Sequence, residues 1–212
     1  MSINQTILYL MERKLAVDER DYTFENSESL GQKLFRLRDY TPIPLLLLLF
    51  LVGTPTVLTA ILGTLLIVGG ELFRIYSVSF IGGVSRTRSL SVGEQLVTSG
   101  PFAWVRNPLY IGNFFITLGF AVYSAKLWFI VLAVAFFAFQ YYFICQYEER
   151  LLDQKFGTVY FEYKAKVPSW IPKSIPALDD IEWPASFSAA IRSEKRTLSS
   201  IFLIWALVVF FS

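Results

Sequence analysis

Five apolar runs, each bounded by turn residues or charge, restrict this chain of 212 residues to helices packed in or against a bilayer. They cover residues 43–52, 56–80, 109–123, 127–147 and 198–212. A helix needs ~20 residues to cross a hydrocarbon core of about 30 Å. The second and fourth runs reach that length. The other three need tilt, local thinning or flanking residues to do so. A hydrophobic share of 54 % and a mean hydropathy of +0.50 agree with this pattern. The expected fold is all-α, an integral membrane bundle of about five transmembrane helices. Gly63, Gly69 and Gly70 are expected to let helices approach closely in lipid.

Charge placement predicts a topology. With the runs paired as hairpins around Gly53-Thr54-Pro55 and Ser124-Ala125-Lys126, 17 of the 19 Lys and Arg fall on one side. The positive-inside rule makes that side cytoplasmic. It holds the N-terminus and residues 81–108 and 148–197. Residues 1–40 are expected to form an N-terminal cytoplasmic or interfacial segment, and residues 41–212 a single membrane domain. Ile3, Ile7, Leu8, Leu10, Met11 and Leu15 recur at roughly helical spacing, which predicts an amphipathic helix on the membrane surface. The first long apolar run begins near residue 43, so no cleavable signal peptide is expected. Residues 181–212 read as a surface segment leading into a last helix, with Arg192, Lys195 and Arg196 at the headgroups, or as a protein contact.

The chain has no histidine, which removes His-based zinc sites, the Ser-His-Asp triad and any imidazole base. No metal site is expected. It also carries neither a phosphate loop nor a dinucleotide-binding glycine motif. Cys145 is the sole cysteine and excludes an intrachain disulfide. Its expected role is packing. A net charge of +2 is too small to imply nucleic acid.

Two polar motifs interrupt the apolar pattern. Residues 96–112 contain Gly100-Pro101 and Asn107-Pro108, turn signals that would break a spanning helix. Irregular backbone near a bilayer is tolerated where protein buries it or where it lines a cavity. Asn107-Pro108 reads as a helix start, with Asn107 as N-cap and Pro108 at the first helical position. That end is suited to an anion, with Arg106 beside it as a bidentate clamp. Tyr110 offers an aromatic face, and Gly112 offers close backbone approach. An ordinary loop-to-helix junction has the same spacing. The second motif, residues 148–168, places Glu148 and Glu149 where the fourth apolar run ends. Phe156-Gly157 reads as a helix end with glycine as the cap. Tyr160 and Tyr163 then share one face of a short helix. The motif fits either a solvated helix end with interfacial tyrosines or a polar pocket.

Together the two motifs are more specific. Gly-Pro-Phe-x-x-Val-Arg-Asn-Pro-x-Tyr-x-Gly is followed by Glu-Glu-x-x-Leu-x-x-x-Phe-Gly-x-x-Tyr-x-x-Tyr-x-x-x-Val-Pro. The pair closely resembles the isoprenylcysteine carboxyl methyltransferase and phospholipid methyltransferase superfamily, over roughly residues 63 to 172. The resemblance implies a multi-helix membrane enzyme that binds S-adenosylmethionine in a pocket on its cytoplasmic face. By residue matching, Arg106, Asn107, Pro108, Tyr110, Gly112, Glu148, Glu149, Tyr160 and Tyr163 would form the cofactor site. Glu149 and Arg106 are the candidate catalytic residues. The chain departs from the family at Asn107, where histidine is usual, and at Ser169, where a basic residue is frequent. Arg86 and Arg88 are candidate substrate-binding residues that would restore the positive charge.

Methyl transfer from a sulfonium is an in-line displacement, so holding nucleophile and methyl collinear is the main requirement. A carboxylate or thiolate acceptor needs no base. An ammonium must first lose its proton, to Glu148, to Glu149, to water or through desolvation. The expected partners are a lipophilic or amphiphilic acceptor and membrane lipids. Membrane sterol and steroid reductases that use NADPH share a related Arg-His-Pro-x-Tyr-x-Gly-Glu element, and this chain has Asn113 in place of its glutamate. A reductase or an inactive member of the same fold is therefore the alternative, and binding of S-adenosylhomocysteine or NADPH separates them.

Overall fold

The computed structural model describes residues 29–81, 95–174, 181–184 and 187–211. The amphipathic segment expected at residues 3–17 and the candidates Arg86 and Arg88 lie outside the described residues. Among the described residues the architecture is all-helical. The helices are α1 (Leu30–Leu37), α2 (Ile43–Val52), α3 (Val57–Ile81), α4 (Pro101–Trp104), α5 (Pro108–Tyr123), α6 (Leu127–Phe156), α7 (Thr158–Lys166) and α8 (Phe187–Phe211).

Local chemistry sets most of these boundaries. Ser29 caps α1 by accepting the Gln32 N–H. Gly53 ends α2, donating to the Leu49 carbonyl at 2.8 Å. Thr56 and Thr59 exchange side-chain bonds with each other's backbone N–H at the start of α3. The turn after α2 meets the turn after α5, where Thr54 N–H donates to the Ser124 carbonyl at 3.1 Å. The two turns expected at one end of paired hairpins therefore lie side by side. Gly157 ends α6 with φ at 53°, as the sequence predicts.

Helices α3 and α5 pack backbone against backbone. Gly63 faces Gly119, and Gly70 faces Gly112. A Cβ at any of the four would lie within 2.8 Å of the opposing carbonyl oxygen. Small residues spaced seven apart on both helices let the backbones touch, the usual device for packing in lipid. Gly69 is one residue out of register and has nothing near its Cβ position. It contributes no packing of the kind expected from the sequence.

Two apolar clusters fill the bundle. One joins Leu49, Ile67, Ile116, Phe120 and Phe129 with Val208 of α8. The other centres on Phe137, Tyr141 and Ile144, with Leu34 and Phe35 of α1 packed against it. Two helices, α3 and α6, are long and apolar enough to cross a membrane. Helices α2 and α5 and residues 197–210 of α8 are apolar but shorter. The five apolar runs thus all become helix, and two have spanning length. The outer faces are apolar, with Leu51, Val57 and Phe210 each over 79 % exposed. One boundary differs from expectation. Helix α8 begins at Phe187, not near residue 198, so the basic segment forms its first three turns rather than a separate surface segment.

Candidate functional site

The two motifs meet. Arg106 N–H donates to the Pro168 carbonyl at 2.9 Å. Its Nε and one terminal nitrogen both donate to Glu149 Oε1, at 3.0 and 2.8 Å. The other terminal nitrogen donates to the carbonyls of Val167 and Lys164, at 2.7 and 3.3 Å. Arg106 therefore clasps the end of the second motif. Most of its N–H donors are committed to protein, so it is arranged as a clasp and not as the free anion clamp its spacing suggests.

Asn107 precedes α5 as expected, but its side chain makes no capping bond. Its Nδ2 instead donates to Ser169 Oγ at 2.9 Å, and Ser169 Oγ lies 3.3 Å from Glu149 Oε1. The capping role read from the sequence is corrected here, because a tertiary partner outcompetes the local one. The two positions at which the chain departs from the family motif are bonded to each other. Pro108 is buried at the first position of α5.

Tyr110 donates to Glu148 Oε2 at 2.5 Å. Tyr163 donates to the Phe102 carbonyl at 2.7 Å and so anchors α7 to the short helix α4. Tyr160 is 1 % exposed, yet its hydroxyl has no partner among the described residues. A buried polar group left open is rare and calls for an explanation. Burial pushes both phenols well above their ordinary value, with Glu149 pushing the same way and Arg106 opposing. Both are neutral donors, not bases. Gly112 lies at the α3 seam, where a Cβ would strike the Arg74 side chain. Its small size serves the approach of two helices.

These groups line one cleft of about 1640 Å³. Arg106, Asn107, Pro108, Tyr110, Glu148, Glu149, Tyr160 and Tyr163 form its polar part. Leu45, Leu49, Ile116, Phe129, Ile201 and Ile204 form an apolar part between α2, α5, α6 and α8. Of the cofactor-site candidates among the described residues, Gly112 stands outside this wall. Arg74, Asn113 and Tyr141 also line it, and sequence reasoning did not place Arg74 or Tyr141 there. The signal for Arg74 was a charge inside an apolar run, which is costly and rarely idle.

Residues 58–159 match the family model described as phospholipid methyltransferase. That match covers just under half of the chain and supports its resemblance to the isoprenylcysteine carboxyl methyltransferase and phospholipid methyltransferase superfamily. The human protein-S-isoprenylcysteine O-methyltransferase is 32 % identical over 127 residues, 53 % of this chain and 41 % of the human protein. Protein-S-isoprenylcysteine O-methyltransferase A of Arabidopsis thaliana is 33 % identical over 117 residues, 52 % of this chain and 57 % of that protein. The nickel-cobalt-cadmium resistance protein NccN of Alcaligenes xylosoxydans xylosoxydans is 26 % identical over 100 residues, 47 % of this chain and 43 % of that protein. The chain thus spans about half the length of the curated relatives it matches. No solved structure matches it. Helices α4, α5 and α6, and all of α3 but its first residue, lie within the family match. Most of α7 and all of α8, which close the cleft, lie beyond it.

Proposed function

We propose that the protein is a multi-pass membrane methyltransferase with its site at the cytoplasmic face. It takes a methyl group from S-adenosylmethionine and gives it to a lipophilic or amphiphilic acceptor. A prenylcysteine-like carboxylate, a lipid amine and a thiol all fit the acceptor class. The observation that carries this reading is the single cleft, polar where the two motifs meet and apolar along α2 and α8. Its volume exceeds the 300–1,000 Å³ usual for one small ligand, so donor and acceptor can share it.

The polar part suits S-adenosylmethionine. Tyr160 brings a buried hydroxyl with no partner among the described residues, apt for a carboxylate or ribose oxygen. Glu148, which accepts the Tyr110 hydroxyl through one oxygen, has a second carboxylate oxygen apt for an ammonium or hydroxyl donor. The rings of Tyr110 and Tyr141, with centroids 4.7 Å apart, offer π faces to a cation. Bound there, S-adenosylmethionine supplies a methyl group made electrophilic by its sulfonium. Glu149 and Arg106 hold the two motifs together, and Ser169 and Asn107 extend that clasp. With Glu149 committed to Arg106, Glu148 is the carboxylate placed to take a proton from an ammonium acceptor. A carboxylate or thiolate acceptor leaves Glu148 with a binding role alone.

Calorimetric titration of detergent-purified protein with S-adenosylhomocysteine and with NADPH tests this reading. Saturable binding of the first and none of the second is expected. The reverse pattern would assign a reductase, and binding of neither would remove the donor site.

A further inference from the structure

Arg74 stands within α3 at the centre of a polar cluster drawn from four helices. Its Nε lies 3.4 Å from Glu71 Oε2, one turn earlier on the same helix. One terminal nitrogen donates to Glu194 Oε2 of α8 at 3.1 Å, and the other donates to Asn113 Oδ1 of α5. Asn113 Nδ2 in turn donates to the Tyr141 hydroxyl of α6 at 2.8 Å. The side chains are 12 % exposed for Arg74, 7 % for Glu71 and 0 % for Glu194. Buried ion clusters of this kind add little net stability, because apolar residues of the same volume often do as well. Their known advantage is to fix one geometry among several.

The geometry fixed here leads to the donor site. The Tyr141 ring is stacked on Phe137 at 4.2 Å and lies 4.7 Å from the Tyr110 ring. Tyr110 is the residue whose hydroxyl reaches Glu148. A continuous path of bonds and ring contact therefore runs from Glu194 through Arg74, Asn113, Tyr141 and Tyr110 to Glu148. The Asn113 bond fixes the Tyr141 hydroxyl, and ring packing on Phe137 and Tyr110 passes that position on.

We propose that Arg74, held by Glu194 of the C-terminal helix, is a positioning residue that sets the Tyr110–Glu148 pair through Asn113 and Tyr141. The proposal rests on the reading of the cleft as a methyl-donor site. It gives α8 a part in that site although α8 lies outside the family match and carries no motif residue.

A double-mutant cycle on the full chain in detergent tests it, with S-adenosylhomocysteine affinity as the readout. Tyr141→Phe removes the bond to Asn113 and keeps the ring. Tyr110→Phe removes the bond to Glu148 and keeps its ring. We expect Tyr141→Phe to weaken binding about fivefold and Tyr110→Phe about tenfold, with the double variant no weaker than Tyr110→Phe. Trp205→Phe breaks a different tether between α8 and α3, the 3.1 Å bond to Thr64 Oγ1, and should leave affinity unchanged. Glu194→Gln, which keeps an acceptor for Arg74, should bind better than Glu194→Ala. Multiplicative losses in the double variant, or wild-type affinity in Tyr141→Phe, would overturn the positioning role while leaving the donor site intact. A wild-type protein that binds no S-adenosylhomocysteine overturns the functional reading, and this inference with it.

Discussion

Arg106 and Arg74 have the same side-chain exposure, 12 %, yet they sit in opposite electrostatic settings. Arg106 faces one carboxylate, Glu149, itself 20 % exposed, and spends its other donors on two backbone carbonyls. Arg74 faces two carboxylates that are almost fully enclosed, with an amide as third partner. The first is a balanced clasp at the polar rim of the cleft that joins two stretches of chain. The second joins helices at depth and sets a cation between two enclosed carboxylates. Breaking a clasp that water can reach is moderately costly. Removing Arg74 takes a cation from beside two enclosed carboxylates.

The comparison is sharpest in the arginine replacements. Arg74→Met should destabilise the protein by about 3–5 kcal/mol, the range for removing one partner of a buried ion pair. Arg106→Met should cost roughly half as much because water reaches Glu149. It should also abolish S-adenosylhomocysteine binding, since the two motifs lose their tie. Denaturation of both variants in the same detergent checks the order. Equal losses would mean that the two settings do not differ.

Helix α7 repeats the contrast between closed and open polar groups on a smaller scale. Tyr163→Phe leaves the Phe102 carbonyl without its donor and should cost about 1–2 kcal/mol of stability. Tyr160→Phe loses no protein bond and should not lower stability at all. It should weaken S-adenosylhomocysteine binding up to about tenfold. Stability and affinity measured on both variants give opposite patterns if the open hydroxyl serves a ligand. The Asn107 and Ser169 pair predicts a smaller effect. Asn107→Leu and Ser169→Ala should each cost about 1 kcal/mol, and the double variant little more, because both remove the same bond.

The smallest effect concerns pH. The unfolded chain ionises its tyrosines near pH 10, while burial keeps Tyr160 and Tyr163 protonated above that point. Above about pH 10 the folded state therefore holds more protons than the unfolded one. The phenols' contribution, fully present below that pH, is lost as pH rises. Tyr163→Phe should flatten this decline, which denaturation between about pH 9 and about pH 11 measures.

The clasp was legible in the sequence and the buried cluster was not, for a physical reason. Arg106, Glu149 and Val167-Pro168 lie within two compact motifs whose internal spacing carries the signal. Pro108 and Gly157 mark helix ends through their own backbone chemistry, which no distant contact alters. Arg74 depends on Asn113 and Glu194, and the second is 120 positions away. A single charge within an apolar run names no partner. Asn107 shows the reverse error, since the local capping rule was sound and Ser169, 62 positions on, took the side chain. Helix α8 was cut short because hydropathy locates only the apolar part of a helix. Its first turns carry Arg192, Glu194 and Lys195, good helix formers that an apolar window rejects.

The central claim is that the two motifs together enclose the methyl donor. Ultraviolet cross-linking of S-adenosyl-[methyl-³H]methionine to the purified protein, followed by peptide mapping, tests it most directly. Label that S-adenosylhomocysteine displaces should appear in peptides covering residues 101–113 or 148–169. Displaceable label confined to any other part of the chain would contradict the account.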